Sequence, residues 1–216
     1  LVQLFYNTFK GNTSKGALFK EEFDVLLFGL PWKSTLAKVD HKEVSKLSTQ
    51  YKGTEIENWY STKLSTNIPK NIAIAVCQCM NTGWDIDLRK YYLNWLKGFL
   101  IIYSVGLAFF FVVMNVDGLT MFSIGFSILS FYIHFFTIIN GHLAVITKRE
   151  AISNKLENDI INKKEISISE LRDIQDEIFI TRNESAKVPN SFFKIYKHKM
   201  NQEYEDYIET INRIYE

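Results

Sequence analysis

Two stretches of this 216-residue chain concentrate side chains that could recognise a charged ligand. The first, Cys77-Gln78-Cys79-Met80-Asn81-Thr82-Gly83-Trp84-Asp85-Ile86-Asp87-Leu88-Arg89, puts amide, indole, carboxylate and guanidinium groups within about four turns of a helix. The second is Leu171-Arg172-Asp173-Ile174-Gln175-Asp176-Glu177-Ile178-Phe179, followed by Thr181-Arg182 and Val188-Pro189. A guanidinium on a helix can clamp a phosphate through paired N–H donors, or it can bridge to nearby carboxylates. The residue types alone leave both readings open.

Catalytic chemistry has little to stand on. The chain has no P-loop, G-x-G-x-x-G, G-x-S-x-G or H-E-x-x-H motif. Its histidines (41, 134, 142, 198) are scattered, so no metal site, cofactor or catalytic residue is expected. The acidic pairs Glu21-Glu22 and Glu203/Glu205 lie in segments rich in Lys and read as solvated helix faces. Cys77 and Cys79 stand at C-x-C spacing, which disfavours a structural disulfide, and no second Cys/His cluster completes a zinc site. Free thiols are expected.

A third pattern is a stripe. Ser123, Ser127, Ser130, His134, Thr137 and Gly141 follow one another at spacings of four, three, four, three and four and share one helix face. Small and hydroxyl residues on one face permit close helix packing and interhelical hydrogen bonds. The same face could line a water-filled path between several copies, with His134 as its one titratable group.

The elements that carry these residues are set by where charge is absent. No Asp, Glu, Lys or Arg occurs from Gly98 to Val116, nor from Gly118 to Thr147. About 20 apolar residues cross a bilayer core, so residues 98–147 predict a transmembrane helical hairpin with Asn115-Val116-Asp117-Gly118 as its turn. A near-zero mean hydropathy conceals this, because it averages over two solvents. Arg89, Lys90 and Lys97 precede the first run, and Lys148, Arg149 and Lys155 follow the second, while the tip has no Lys or Arg. Positive charge stays on the cytoplasmic side, so both flanks are expected in the cytoplasm. The predicted organisation is mainly α: a cytosolic helical region 1–97, the hairpin 98–147 and a second cytosolic helical region 148–216.

Within the flanks, Phe19, Phe23, Leu26 and Leu27 mark a helix from Ser14 that Gly29-Leu30-Pro31 stops. Asp40 to Tyr51 predicts a short polar helix, and Trp59-Tyr60 falls in a loop ending near Pro69. A helix starts near Asn71 and continues to the first span with a break at Gly83. Residues 149–164 predict a charged helix leaving the membrane. Ser167 and Glu170 form a capping-box pattern before Leu171, Ile174 and Ile178. The last helix, from Ser191, carries a seam of Phe193, Tyr196, Met200, Tyr204, Tyr207, Ile211 and Ile214, suited either to packing within the fold or to an oligomer interface.

Three blocks give the chain a resemblance to a known family. They are Glu22-Phe23-Asp24 with Leu30-Pro31-Trp32; Trp59-Tyr60 with Gln78, Asn81, Trp84-Asp85 and Leu88-Arg89; and Ile174-Gln175-Asp176 with Arg182, Val188-Pro189 and the Tyr-rich helix. In this order around a hairpin they resemble the SMODS-associated four-transmembrane effectors of bacterial CBASS-type anti-phage defence. Two spans are visible where that family is named for four. The apolar opening Leu1-Val2-Gln3-Leu4-Phe5, without Met, leads to the expectation that a further pair precedes it.

The resemblance implies a membrane effector that answers a cyclic di- or trinucleotide messenger from a partner nucleotidyltransferase by disrupting the inner membrane. It makes Arg89 and Arg182 candidate phosphate contacts, Trp59, Tyr60 and Trp84 candidate base-stacking partners, and Gln78, Asn81 and Gln175 readers of base edges. The expected partners are the lipid bilayer, the messenger and further copies of the chain, with no DNA or RNA duplex. The competing reading is a membrane-anchored interaction module whose hairpin is only a tether.

Overall fold

The computed structural model describes residues 2–52, 59–184 and 186–216, without the side chains of residues 2–10 and of Glu184; the expectation built on Leu1 lies outside it. The described residues form helices α1 (Val2–Phe28), α2 (His41–Gln50), α3 (Lys70–Val113), α4 (Gly118–Ile161), α5 (Ile168–Glu184) and α6 (Asn190–Tyr215), with no strand among them. Helices α3 and α4 each run for 44 residues, about 66 Å at 1.5 Å per residue. That is roughly twice the ~30 Å of a hydrocarbon core, so each can cross a bilayer and still extend well beyond it.

The distal halves of α3 and α4 turn their apolar side chains outward. Ile102, Val112, Leu119 and Phe126 are 73%, 77%, 78% and 70% exposed. A helical hairpin in water would bury such residues; lipid is the solvent in which they cost nothing. Between the helices Phe99 stacks on Phe135, Tyr103 meets Phe131, and Ser104 Oγ and Tyr132 Oη share a hydrogen bond of 2.8 Å. At the tip Asn115 adopts a φ of 46°, and Asp117 Oδ1 accepts from the backbone N–H groups of Leu119 and Thr120. Asn and Asp thus supply the turn, as their side chains allow.

Gly83 does not break α3. One glycine costs a helix interior about 1 kcal/mol, too little to interrupt a packed helix. Its role is room: a Cβ there would overlap the Tyr204 hydroxyl, which reaches across to donate to Asp87 Oδ2 at 3.3 Å. The charged segment after the second span is helical as expected, being the continuation of α4 to Ile161.

The proximal halves of α3 and α4 meet α1, α5 and α6 around one core that includes Val25, Ile72, Val76, Leu156, Ile160, Leu171, Ile178, Ile208 and Ile211. The α6 seam packs inside this fold. Tyr196 stacks on Tyr91 with ring centroids 4.2 Å apart, Phe193 lies 5.3 Å from Trp84, and Tyr207 Oη donates to Cys79 Sγ. At α5, Ser167 and Glu170 close a reciprocal capping box: the Ser167 N–H donates to Glu170 Oε2 at 2.9 Å and the Glu170 N–H to Ser167 Oγ at 3.2 Å. Both cysteines are free, and burial pushes the Cys77 thiol up to about 12.

Helix α1 reverses the expectation drawn from its pattern. It starts at Val2, well before Ser14, and ends at Phe28 with Gly29 at φ 68° and the Leu30 N–H on Val25 O at 3.0 Å. Its inward face is Ala17, Glu21, Asp24, Val25 and Phe28, while Phe23, Leu26 and Leu27 are 49%, 73% and 55% exposed. Glu21, read as part of a solvated face, is fully buried. The reason is the chemistry of the partner helix.

Candidate functional site: a cationic cavity at the root of the hairpin

Helix α5 turns Arg172, Gln175 and Arg182 toward α1, and the acids of α1 answer them. Arg172 Nη2 lies 2.5 Å from Glu21 Oε1, and Arg182 Nη2 lies 2.6 Å from Asp24 Oδ2. Gln175 Nε2 donates to both Glu21 Oε2 and Asp24 Oδ2, at 2.9 and 3.2 Å. Gln78 of α3 donates to Leu171 O and Gln175 Oε1, which brings the third helix into the network. Asp24 also accepts from Tyr60 Oη at 2.8 Å, and Asn81 Nδ2 donates to the same hydroxyl at 3.0 Å. Buried charges survive only when paired, and each charge here has an opposite partner, although Arg172 Nε and Gln78 Oε1 find no hydrogen bond.

Beside this network a cavity of about 500 Å³ opens between α1, the 59–63 loop, α3, α4, α5 and α6. That volume falls in the usual range for small-molecule sites, roughly 300–1,000 Å³. Its walls carry five cationic side chains, Lys20, Lys63, Arg149, Arg182 and Lys197, against two carboxylates, Asp85 and Glu205. Lys63 pairs with Glu205 at 2.9 Å. Lys20 and Lys197 instead lie over aromatic faces, 5.5 Å from the Trp59 ring centroid and 6.0 Å from that of Phe193. Burial, with the charge of Arg182 close by, lowers the Lys20 ammonium from its ordinary value. A surplus of positive charge among stacking surfaces suits an anion that carries planar rings.

The structure brings five of the eight candidate ligand residues to this cavity: Trp59, Tyr60, Asn81, Trp84 and Arg182. It does not bring the other three. Gln78 and Gln175 are 1% exposed and spend their amides inside the network behind the wall. Arg89, 3% exposed, points away: its Nε lies 2.5 Å from Asp85 Oδ2, and its Nη1 contacts His142 Nδ1 and Ala186 O, both at 2.8 Å. Lys20, Arg149, Phe193, Lys197 and Tyr204 also line the cavity, though the sequence marked none of them as a ligand contact. Lys20 and Phe193 each stand on a helix face whose neighbours signalled something else, and Arg149 read as a membrane-flanking charge.

The stripe on α4 faces outward. Ser123, Ser127, Ser130, His134, Thr137 and Gly141 are all exposed, and α3 packs against the other side through Phe131, Tyr132, Phe135 and Ile139. Ser123, Ser127 and Thr137 donate back to the carbonyls of Leu119, Ser123 and Ile133 on their own helix. Their hydroxyls therefore make no interhelical bond to α3. Among the described residues no group of His, Cys, Asp and Glu could hold a metal ion.

A hairpin with outward apolar faces, rooted in a helical assembly that encloses a cationic cavity, is the layout of a helical protein with two candidate transmembrane spans and a candidate site beyond them. A family model described as the SMODS-associating 4TM effector domain matches residues 2–211, and the chain belongs to that family. Two helices here are long and apolar enough to span a membrane. A probable CBASS effector molecule of Bacillus cereus (strain VD146) is 26% identical over 203 residues, which are 88% of this chain. The chain spans 66% of that relative's length. No solved structure matches it.

Proposed function

We propose that this chain belongs to an inner-membrane effector of anti-phage defence that permeabilises the membrane when a cyclic oligonucleotide occupies the cavity. The observation that supports this most is where the cavity lies: Trp84, Asp85 and Leu88 on α3 and Arg149 on α4 line it, on the same uninterrupted helices that continue as the hairpin. A ligand that draws these walls together acts on the spans with no intervening hinge. It opens the device only to the extent that it binds the open or assembled state more tightly. The relative's description as a probable CBASS effector supports the same setting, in which a partner nucleotidyltransferase supplies the messenger.

In this reading the helical regions on both sides of the hairpin are cytoplasmic. With Arg89 and Arg149 buried, the exposed Lys90, Lys97, Lys148 and Lys155 still flank the spans on that one side. Several copies assemble, and the outward stripe on α4 meets its counterparts or further spans. The test is dye leakage from liposomes carrying the full-length protein, with a panel of cyclic di- and trinucleotides. Messenger-dependent leakage is expected; none with any of them, from folded and inserted protein, refutes the ligand-gated pore.

One observation favours the competing reading of a tethered interaction module. The apolar outer face of α1, with Phe23, Leu26 and Leu27, is uncovered by the described residues. Substituting all three with Ser separates the two. A tether loses partner capture while its ligand binding is unaffected, whereas a gated effector keeps messenger-dependent leakage.

A further inference from the structure

The wall of the cavity nearest the membrane holds an arginine whose donors the protein does not use. Arg149 is 2% exposed, yet its guanidinium makes no hydrogen bond among the described residues, and its Nε has no partner in hydrogen-bonding geometry. What it has is an ion pair: Nε lies 3.3 Å from Asp85 Oδ2. A buried N–H donor is costly to leave unmade, and the Nε of Arg149 is one. The same Asp85 oxygen is already held at 2.5 Å by Arg89 Nε, and Arg89 Nη2 reaches Oδ1 at 3.3 Å. One carboxylate thus serves two guanidiniums and satisfies only one.

Arg89 and Arg149 face different things. Arg149 lines the cavity. Arg89 reaches the base of the hairpin, where its Nη1 contacts His142 of α4, and it also holds Ala186 O in the segment between α5 and α6. His142 packs edge-on against Tyr92, which in turn meets Phe192 at the start of α6. Asp85 is therefore the shared element between the ligand side and the membrane side.

We propose that Arg149 is the phosphate anchor of the cavity and that Asp85 is its resting counter-ion, handed over to Arg89 when a phosphate arrives. This rests on the reading that the cavity takes a phosphate-bearing ligand and adds how occupancy reaches the hairpin. A phosphate meets Arg149 with two parallel hydrogen bonds, better than the off-axis contact Asp85 offers. Released from Arg149, Asp85 belongs to Arg89 alone, which resets the contacts of Arg89 with His142 and Ala186. Burial lowers Arg149 to about 10, and its nearness to Asp85 only partly offsets that; a second anion stabilises its charged form further.

Competition between Asp85 and phosphate for one cation gives a signature that a merely structural ion pair does not. Asp85→Asn removes the competitor, so phosphate binds about tenfold tighter, the scale of an ordinary coupling between sites, while the signal to the hairpin is lost. Arg149→Met removes the anchor, so binding weakens at least tenfold, and Arg149→Lys restores part of it. The measurement is titration of full-length protein in phosphatidylcholine nanodiscs with pyrophosphate, followed by tryptophan fluorescence, since Trp59 and Trp84 line the cavity. Opposite signs for the two substitutions are expected. Weaker binding by both, unchanged binding by Arg149→Met, or no binding by the wild type overturns the proposal.

A lipid headgroup offers the same phosphate chemistry, so the titration is repeated in phosphatidylglycerol nanodiscs. Unchanged affinity supports a soluble ligand, and competition by the lipid overturns that assignment. Leakage separates this proposal from the effector reading. Opposite signs in binding without leakage from any cyclic nucleotide refute the pore and leave the anchor standing. Messenger-dependent leakage that Arg149→Met does not alter refutes the anchor and leaves the pore.

Discussion

Replacing Asp24 with Asn keeps the side-chain volume and removes one buried negative charge. Asp24 is 2% exposed and accepts from Tyr60, Gln175 and Arg182, at 2.8, 3.2 and 2.6 Å. The amide keeps one acceptor oxygen and turns the other into a donor aimed at donors. Breaking a buried ion pair by neutralising one partner costs about 3–5 kcal/mol, and the bond the Asn carbonyl retains places this variant near the lower figure. At about 2–4 °C per kcal/mol for a chain of this size, the melting temperature falls by about 6–12 °C. The assay is thermal unfolding of detergent-purified protein, followed by tryptophan fluorescence. Arg182→Met alone strands the Asp24 charge and costs a similar amount. The double variant strands neither and falls short of the sum by at least about 1 kcal/mol. A loss below about 2 °C for Asp24→Asn, or strict additivity, refutes the argument that this buried pair joins α1 to α5.

Three further outcomes follow from the same geometry. Gly83→Ala lowers stability by about 1–3 kcal/mol, because the new methyl displaces the Tyr204 hydroxyl; Gly83→Ala combined with Tyr204→Phe recovers most of the loss in the same melting assay, whereas a net gain from Gly83→Ala alone, as helix propensity favours, contradicts the close approach. Lys20 carries a lowered ammonium pKa, set by burial and then Arg182, with Asp85 and Asp24 opposing the shift and Arg149 adding to it. A bound phosphate restores the proton, so pyrophosphate affinity falls as pH rises through that lowered value, and Lys20→Met flattens the profile. Finally, leakage through liposomes with Ser127 and His134 both replaced by Leu distinguishes the two uses of the α4 stripe: a pore lined by it loses conductance, and unchanged leakage refutes that lining.

The hairpin was legible in the sequence because its cause is one-dimensional. Fifty residues with one carboxylate between them cannot be solvated as the flanks are, and no tertiary arrangement alters that. The tip, with Asn115 at positive φ and Asp117 as its N-cap, and the Ser167/Glu170 capping box are local for the same reason: each partner lies within three residues of the other. The blocks that resemble the family were equally readable, since they are strings of residues.

What lay beyond reach required knowing what faces what. The apolar spacing of Phe23, Leu26 and Leu27 identifies a core face only where the neighbouring element is apolar, and α5 offers α1 two guanidiniums and an amide instead. The acids therefore turned inward, and the apolar residues turned out. Gln78, Arg89 and Gln175 have the chemistry of ligand contacts, but they are spent on internal partners up to 154 residues away along the chain. Lys20, Arg149 and Lys197 converge on one cavity from three helices and carry no local mark of it. Solvent preference is a property of a segment; the use of a charge depends on which other charges the fold brings within a few ångströms of it.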